Sequence, residues 1–501
     1  MDVDVLVVGA GPAGCAAARL LASWGHTTLL LDRAGSAGRR PLAESLPPSC
    51  NGLLDAIGIR AAVEEAGFVR STGNTVWWGD TPRRVEYFPD GATGYQVASD
   101  HLEAVLSDAA HAAGATVWHL ASLTSIADDG MRYATCIASP TGERAVRARW
   151  VLDCTGRARA VARQWRAANM QPAAGATVAQ LGPGAPRMFG LVGVWERDAW
   201  DLPDASHTLV ESRPWGWGWS VPVSRVRRYF TVMLDPAATP LAAGPELAAR
   251  YHDLLADLPA LAAATEGARW DGPAWACDAT PYVADAVPAE RLLAVGDAAS
   301  FIDPLSSFGV KKALASAWLA AVVVHSALIT PGSTAPALAL YAERERAYVS
   351  AAHRELVSVY RAAGWSDAGF WGARAALHVD EPESESIERL RGSAEVQRAF
   401  DALRTRASAR LVPAAGLAFA NRPLVRGNVV VEARHLVLPG LEEPVRYLRN
   451  VDLMVALEVA TTSDDAGAMY GEYTRRLGPV ALPDFLGALA VLVGLGGATF
   501  A

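Results

Sequence analysis

Lysine is nearly missing from this chain. Of 45 lysines and arginines in 501 residues, only Lys311 and Lys312 are lysines. The skew reads as compositional bias of the source genome and carries no argument about thermostability. It leaves chemistry that needs a free side-chain amine only two, adjacent positions. Cysteine is also scarce. Cys15, Cys50, Cys136, Cys154 and Cys277 are odd in number and widely spaced, with no C-x-x-C pair. That argues against a disulfide framework or a zinc site and fits a reducing cytoplasm. Positive charge is not in excess, at a net −8, so neither nucleic acid nor an anionic membrane surface is expected as a partner. The opening residues MDVDVLVVGAG run straight into a strand, without a basic leader or cleavage signal. The apolar, Gly-rich stretch from Phe485 to Ala501 falls just short of the roughly 18 residues of a spanning helix. A docked terminal helix is expected there rather than a membrane anchor. No internal repeat is visible.

What is present is a dinucleotide unit. Asp4 to Val8 is a β-branched run, followed by Gly9-Ala10-Gly11-Pro12-Ala13-Gly14, a small-residue helix, and a strand from Thr27 to Leu31 ending in Asp32. This is G-x-G-x-x-G in its required setting. Gly9 permits the tight turn, Gly11 lets backbone approach a pyrophosphate, and Gly14 lets helix and strand pack closely. Phosphate oxygens are expected at the free amides of the helix start. Asp32 is placed to accept from a ribose hydroxyl, with Arg33 beside it.

The motif alone does not choose FAD over NAD. A strand from Leu292 to Val295 then delivers Gly296-Asp297-Ala298-Ala299 to a helix beginning near Gly309. This resembles the second FAD fingerprint of the para-hydroxybenzoate hydroxylase superfamily, in which the Asp holds the ribityl chain and the helix start favours negative charge on the flavin. Asp153-Cys154-Thr155-Gly156 ends a strand in the D-x-[ST]-G style of that superfamily. No second dinucleotide fingerprint appears. Gly494 to Gly497 lacks both the strand and the acid.

An α/β fold follows, because 501 residues at 51% hydrophobic exceed one core. An FAD/NAD(P)-binding Rossmann-like domain is expected over 1–75, 95–170 and 285–330. A β-rich substrate domain is inserted over 75–95 and 170–285, with strands at Leu191 to Val194 and Tyr229 to Leu234. A mainly helical C-terminal region is expected over 335–501, with the charged run Tyr341 to Arg354 as a solvated helix face.

Three further motifs are similar to those of flavin-dependent halogenases. Trp217-Gly218-Trp219-Ser220-Val221-Pro222 looks like W-x-W-x-[IV]-P. Phe301-Ile302-Asp303-Pro304-Leu305-Ser306-Ser307-Phe308-Gly309 fits F-x-x-P-x-x-S-x-G. Arg40-Pro41-Leu42-Ala43-Glu44-Ser45-Leu46-Pro47-Pro48 is similar to R-P-x-G-E-S-L-P-P, with Ala43 for Gly. The likeness covers about three quarters of the chain and weakens through Phe370-Trp371. It implies that Gly9, Gly11, Ala13, Gly14, Asp32, Arg33, Arg40, Ser45, Gly296, Asp297, Pro304, Ser307, Gly309 and Val310 bind FAD. Two tryptophans two apart on a strand are often plain core. In the halogenases the pair lies beside a tunnel from flavin to substrate.

The departures bear on function. Gly67 to Gly79 matches the stretch that carries the halogenase tunnel lysine, but the lysine position is Ser71. The adjacent Arg70 stays protonated and offers no free amine. The residue before Gly309, usually a halide-neighbouring Thr, is Phe308. Lys311 and Lys312 fall at the start of the following helix, at the flavin edge, where a solvated role competes with contact to the flavin. The resemblance therefore implies a two-component FAD monooxygenase acting through a flavin C4a-hydroperoxide on an indole or phenol ring. A separate NAD(P)H-dependent flavin reductase would supply reduced FAD. Lysine-lacking relatives that hydroxylate tryptophan residues suggest a peptide- or carrier-borne substrate. Glu44, Ser71, Trp217, Trp219 and Lys311 are the catalytic-site candidates, with Glu44 the candidate base, and no metal is expected. Three readings compete: a halogenase with an unconventional catalytic residue, an alkene-saturating flavin reductase, and a non-catalytic FAD-binding maturation factor.

Overall fold

In a computed structural model of the chain, the residues described are 1–33, 40–169, 186–240, 244–284, 290–365, 369–377, 390, 392–406, 408–441 and 443–501. The chain divides into two compact units, Met1–Leu328 with Tyr341–Val379, and Ile329–Leu340 with Asp380–Ala501.

The first unit is built on a seven-stranded sheet. Strand β1 (Asp2–Val8) leads through the glycine turn into helix α1 (Pro12–Ser23) and back to β2 (Thr28–Asp32). Strand β1 pairs in parallel with β2 on one side and with the end of the Gly142–Asp153 strand on the other. Leu292–Ala294 adds in parallel to that strand. These four strand ends therefore point the same way and deliver Gly9, Asp32, Cys154 and Gly296 to one edge, where ligands bind in open α/β sheets. The central residues Val5, Leu6 and Val7 are wholly buried, as expected of a parallel strand covered on both faces. An antiparallel meander, Ser122–Asp128 and Tyr133–Ser139, extends the sheet.

A three-stranded sheet joins β3 (Ala43–Leu46), Gly94–Ala98 and Val69–Ser71. An eight-stranded sheet collects Gly73–Trp77, Arg84–Tyr87 and the strands between Phe189 and Asp278. The two strands expected from sequence lie within Phe189–Glu196 and Arg227–Leu234, which pair antiparallel.

The helix Gly309–Ile329 is long and apolar enough to cross a membrane, yet 78% of its apolar window is buried inside the protein. It is a core helix of the flavin unit. Tyr341 to Arg361 and the helix Gly369–Ala375 also belong to this unit. The physical reason is one apolar cluster, in which Leu356, Tyr360, Phe370 and Trp371 pack with Trp78, Trp217 and Met233.

The second unit is more β-rich than its sequence suggests. The helices Ala394–Thr405, Leu453–Ala460, Ala466–Leu477 and Leu482–Gly494 share a core with the hairpin Ala418–Arg426/Val429–Val437. The apolar C-terminal stretch buries Phe485 to Leu492 in its helix. It then pairs Ala498–Phe500 with Leu411–Pro413.

Candidate active site

Two clefts open at the shared strand edge. The first encloses about 460 Å³ and is lined by Gly9, Gly11, Ala13, Arg33, Glu103, Thr155, Arg163 and Asp297, among others. The second, of about 700 Å³, is lined by Pro12, Asp32, Arg40, Glu44, Glu103, Asp297, Phe301, Gly309 and Val310, among others. Asp297 and Glu103 line both. Two stretches almost 300 residues apart in sequence thus face one elongated site.

The glycines divide into two kinds. A Cβ on Gly14 would strike the Gly9 carbonyl oxygen, and one on Gly296 (φ +63) would lie 2.8 Å from the Ala13 Cβ. Both positions are fixed by protein packing, whatever binds in the clefts. Gly11 is different. The nearest atom to a Cβ there is the Glu103 carboxylate oxygen at 3.9 Å, so its bare face looks into open cleft. Gly11 caps α1 without a side-chain hydrogen bond, and the first turn carries no acidic residue. The helix start therefore presents free amides and partial positive charge to the cleft. Cys154 is spent as wall. Asp153 holds the neighbouring turn, accepting from the Thr155 hydroxyl (2.6 Å) and the Ala162 amide (3.0 Å).

The second cleft is acidic and partly desolvated. Burial, reinforced by Asp297, pushes the Glu44 carboxyl up to about 7. Burial also raises Asp297, opposed by Lys312 and Arg157. Lys312 is 1% exposed. Its ammonium donates to the carbonyls of Gly296 and Ser300 (2.8 Å for the latter) and lies 3.6 Å from Glu345. It clamps the Gly-Asp turn from behind. Lys311 instead donates to Ser49 Oγ at 3.0 Å and sits 4.7 Å above the Phe308 ring.

The donors and acceptors fit a flavin dinucleotide. Bare backbone at Gly11 and free helix amides suit a pyrophosphate. Asp32, beside His119 (3.2 Å), and Asp297 suit hydroxyl-rich chains, and the start of the Gly309 helix suits an electron-rich ring edge.

Of the residues expected from sequence, Gly9, Gly11, Ala13, Asp32, Arg33, Arg40, Glu44, Asp297, Gly309 and Val310 line one or both clefts. Gly14, Gly296, Ser45, Pro304, Ser307, Ser71, Trp217, Trp219 and Lys311 do not. Ser307 takes a left-handed φ of 54° that ends the turn before Gly309.

Ser71 is 1% exposed. Its hydroxyl donates to the Gly73 carbonyl (3.3 Å) and accepts from Gln96 Nε2 (3.1 Å), which also donates to Thr208 Oγ1 (2.9 Å). The Thr208 hydroxyl in turn reaches Ser45 (3.4 Å). A hydroxyl tied into such a network is structural.

Trp217 and Trp219 stack, with centroids 4.8 Å apart and planes inclined by 25°. Trp217 is buried in the aromatic cluster, with Trp219, Phe301 and Leu305 packed against its edge. The pair is core and also the backing of the Phe301 segment.

Sequence reasoning missed Glu103, which no motif marks although it lines both clefts.

Comparison with known proteins bears on the family and the fold. The FAD binding domain family matches residues 2–355. A tryptophan 2-halogenase of Chondromyces crocatus is 27% identical over 394 residues, covering 76% of this chain and 72% of that protein. The flavin-dependent halogenase CmlS superposes with a TM-score of 0.73 at 18% identity, covering 100% of this chain and 96% of that one. The peptidyl tryptophan dihydroxylase QhpG, described as essential for tryptophylquinone cofactor biogenesis, superposes with a TM-score of 0.62 at 21% identity, covering 96% and 100%. At these identities the two structures speak to fold.

Proposed function

This chain belongs to the FAD binding domain family, and from that premise we propose that it is the oxygenase component of a two-component flavin monooxygenase. It is an FAD-dependent oxidoreductase of halogenase-like type. The finer reading is hydroxylation of an electron-rich indole or phenol ring, carried on a peptide or carrier. The observation that supports it is the fate of the amines and of Ser71. The position where halogenases hold the tunnel lysine is a buried serine bonded to Gln96 and Gly73. Lys312 is buried against carbonyls, and Lys311 is held by Ser49 and the Phe308 face. A hypohalous acid would find no amine at the tunnel position. An anion beside Phe308 would meet an apolar ring in place of a hydroxyl.

Reduced flavin supplies the two electrons that activate dioxygen. The balance is one aromatic C–H converted to C–OH, with the second oxygen atom leaving as water. The protein's part is placement and dryness. The Gly9–Gly14 turn and the Asp297 turn would hold the cofactor. Trp217, Trp219 and Trp371 belong to one apolar cluster that backs the Phe301 segment. Glu44, its carboxyl raised toward neutrality by burial, is a proton-exchanging group on the cleft wall.

The test is turnover with enzymatically reduced FAD, ¹⁸O₂ and excess bromide, followed by mass spectrometry of the aromatic product. One ¹⁸O atom per product, at a rate indifferent to bromide, is expected. A bromine isotope pattern would transfer the assignment to a halogenase with an unconventional residue.

A further inference from the structure

Behind the Asp297 turn lies a buried polar network whose side chains line neither cleft. It grips both polar groups of Gly296. The Gly296 amide donates to Ser316 Oγ (2.9 Å), which lies 3.0 Å from the Tyr341 hydroxyl, and that hydroxyl donates to the Ala294 carbonyl (2.7 Å). The Gly296 carbonyl accepts from Lys312, as does the Ser300 carbonyl. The peptide is planar and trans, so with the Gly296 carbonyl turned to Lys312 the Asp297 N–H points the other way. Val295, Asp297 and Ala313 line the first cleft, and Asp297 and Ala313 also line the second. One layer of main chain therefore separates the Lys312 ammonium from the flavin site.

The charge in this network is lopsided. Two carbonyls and a carboxylate surround the Lys312 nitrogen, the setting of an ammonium with three N–H donors. Its counter-charge, Glu345, lies 3.6 Å away in the stretch Tyr341 to Arg361. Glu345 Oε2 is buried and has no hydrogen-bond partner among the described residues. The Glu345 side chain is 16% exposed against 2% for Lys312, so water screens the carboxylate more than the ammonium. The positive end of the pair is the one held against the turn. Burial lowers the Lys312 ammonium, and Glu345 and Asp297 oppose that shift. Arg157 is the second cation acting on Asp297. Desolvating an ammonium is costly, and packing alone does not call for a full charge at such a place.

We propose that Lys312 tunes the flavin: its buried charge makes the site prefer reduced, anionic FAD over the oxidised form. The oxidised isoalloxazine is neutral. It takes up two electrons and one proton to become a monoanion, with the charge on its pyrimidine side. A fixed cation behind the wall stabilises that state and leaves the neutral ring nearly unaffected. The start of the Gly309 helix adds partial charge of the same sign. Lys312 acts through the field and through the turn it holds. A cofactor reduced elsewhere is thereby captured in preference to the spent, oxidised one. That consequence rests on the two-component reading, whereas the tuning itself rests only on the FAD site.

The experiment measures the affinity of the full chain for oxidised FAD and for dithionite-reduced FAD, without oxygen and slightly above neutral pH, and takes the ratio. The potential of bound FAD, from a dye-coupled titration, is the second readout, in which tenfold in the ratio equals about 30 mV for a two-electron couple. Lys312→Met should lower the preference for reduced FAD by about tenfold, the effect of one charge at an effective dielectric of ~20. Any affinity lost by both forms alike cancels in the ratio. Glu345→Gln keeps the cation and removes its counter-charge, so it should raise the preference severalfold. A merely loosened turn does not give opposite signs. A ratio within about twofold of the parent in Lys312→Met, or a shift in the same direction from both variants, would overturn the proposal. If Lys312→Met does not fold, Glu345→Gln decides alone, and an unchanged or lowered preference overturns it. Opposite shifts together with a brominated product would remove the monooxygenase reading and leave the tuning standing. An ¹⁸O-labelled product with no shift in either variant would do the reverse.

Discussion

Replacing Lys312 with methionine should loosen the flavin site from a position that touches no cleft. Methionine roughly keeps the volume and apolar stem, so the change isolates the ammonium. Three interactions are lost: the bonds to the Gly296 and Ser300 carbonyls and the 3.6 Å approach to Glu345. A buried acceptor left unpaired costs about 1–3 kcal/mol. Breaking one partner of a buried ion pair costs about 3–5 kcal/mol. These overlap, because all three meet at one ammonium, so the net loss should be about 3–5 kcal/mol. At roughly 1–2 °C per kcal/mol for a unit of well over 250 residues, the apparent Tm should fall by about 5 °C. FAD affinity should fall as well, because the Gly296–Ser300 turn carries Asp297. Differential scanning calorimetry and the flavin-to-protein absorbance ratio measure the two effects. Lys312→Met combined with Glu345→Leu should recover roughly half of the lost stability, because no buried charge then remains while the carbonyls stay unpaired. If Lys312→Met melts within about 2 °C of the parent and purifies with full flavin, the clamp argument is wrong.

Other outcomes follow from the same geometry. Gly11→Val should fold but lose FAD, because its side chain projects into open cleft; wild-type flavin content would refute the placement. Gly14→Ala should instead destabilise the apo-protein by about 1–3 kcal/mol, read as a lower urea midpoint, because its Cβ meets the Gly9 carbonyl. NADPH alone should bleach the bound flavin far more slowly than NADPH with a flavin reductase, and stopped-flow absorbance distinguishes the two. Lys311→Met should leave ¹⁸O incorporation unchanged, and its abolition would point to the amine-dependent alternative.

The parallel core was legible because its physics is local. The β-branched run, the glycine turn and the acid at the end of β2 are contiguous, and Gly9 and Gly14 answer to close contacts within the same unit. The Gly-Asp turn was legible too, although its companion Lys312 was not. In a sequence that lysine is one of two adjacent cations at a helix start, and nothing marks which one turns inward. The helix period decides it: Lys312 faces the sheet and Lys311 faces Ser49. The region after 335 was read as mainly helical, and its hairpin Ala418–Arg426/Val429–Val437 was not anticipated. The structure assigns Tyr341 onward to the flavin unit through Leu356, Tyr360 and Trp371, whose partners Trp78 and Trp217 lie far away in sequence. Local pattern does not carry that kind of contact.

On the proposed oxygen-transfer reading, Ser71 keeps a motif position without its amine. The surrounding stretch still forms Val69–Ser71 and still pairs with Gly94–Ala98. A lysine there would have to place an ammonium in the space now closed by Gln96, which is itself wholly buried and bonded to Ser71, Thr208 and the Ser206 carbonyl. Restoring the amine alone therefore buries a charge in space that the Gln96 amide fills, which costs several kcal/mol. Ser71→Lys should consequently destabilise the fold without yielding brominated product. On the same reading, halogenase chemistry is expected to need changes at Gln96 and Phe308 together with Ser71. If Ser71→Lys alone brominates indole with reduced FAD and bromide, Gln96 does not close that space and the case for an oxygen-transferring enzyme loses its main support.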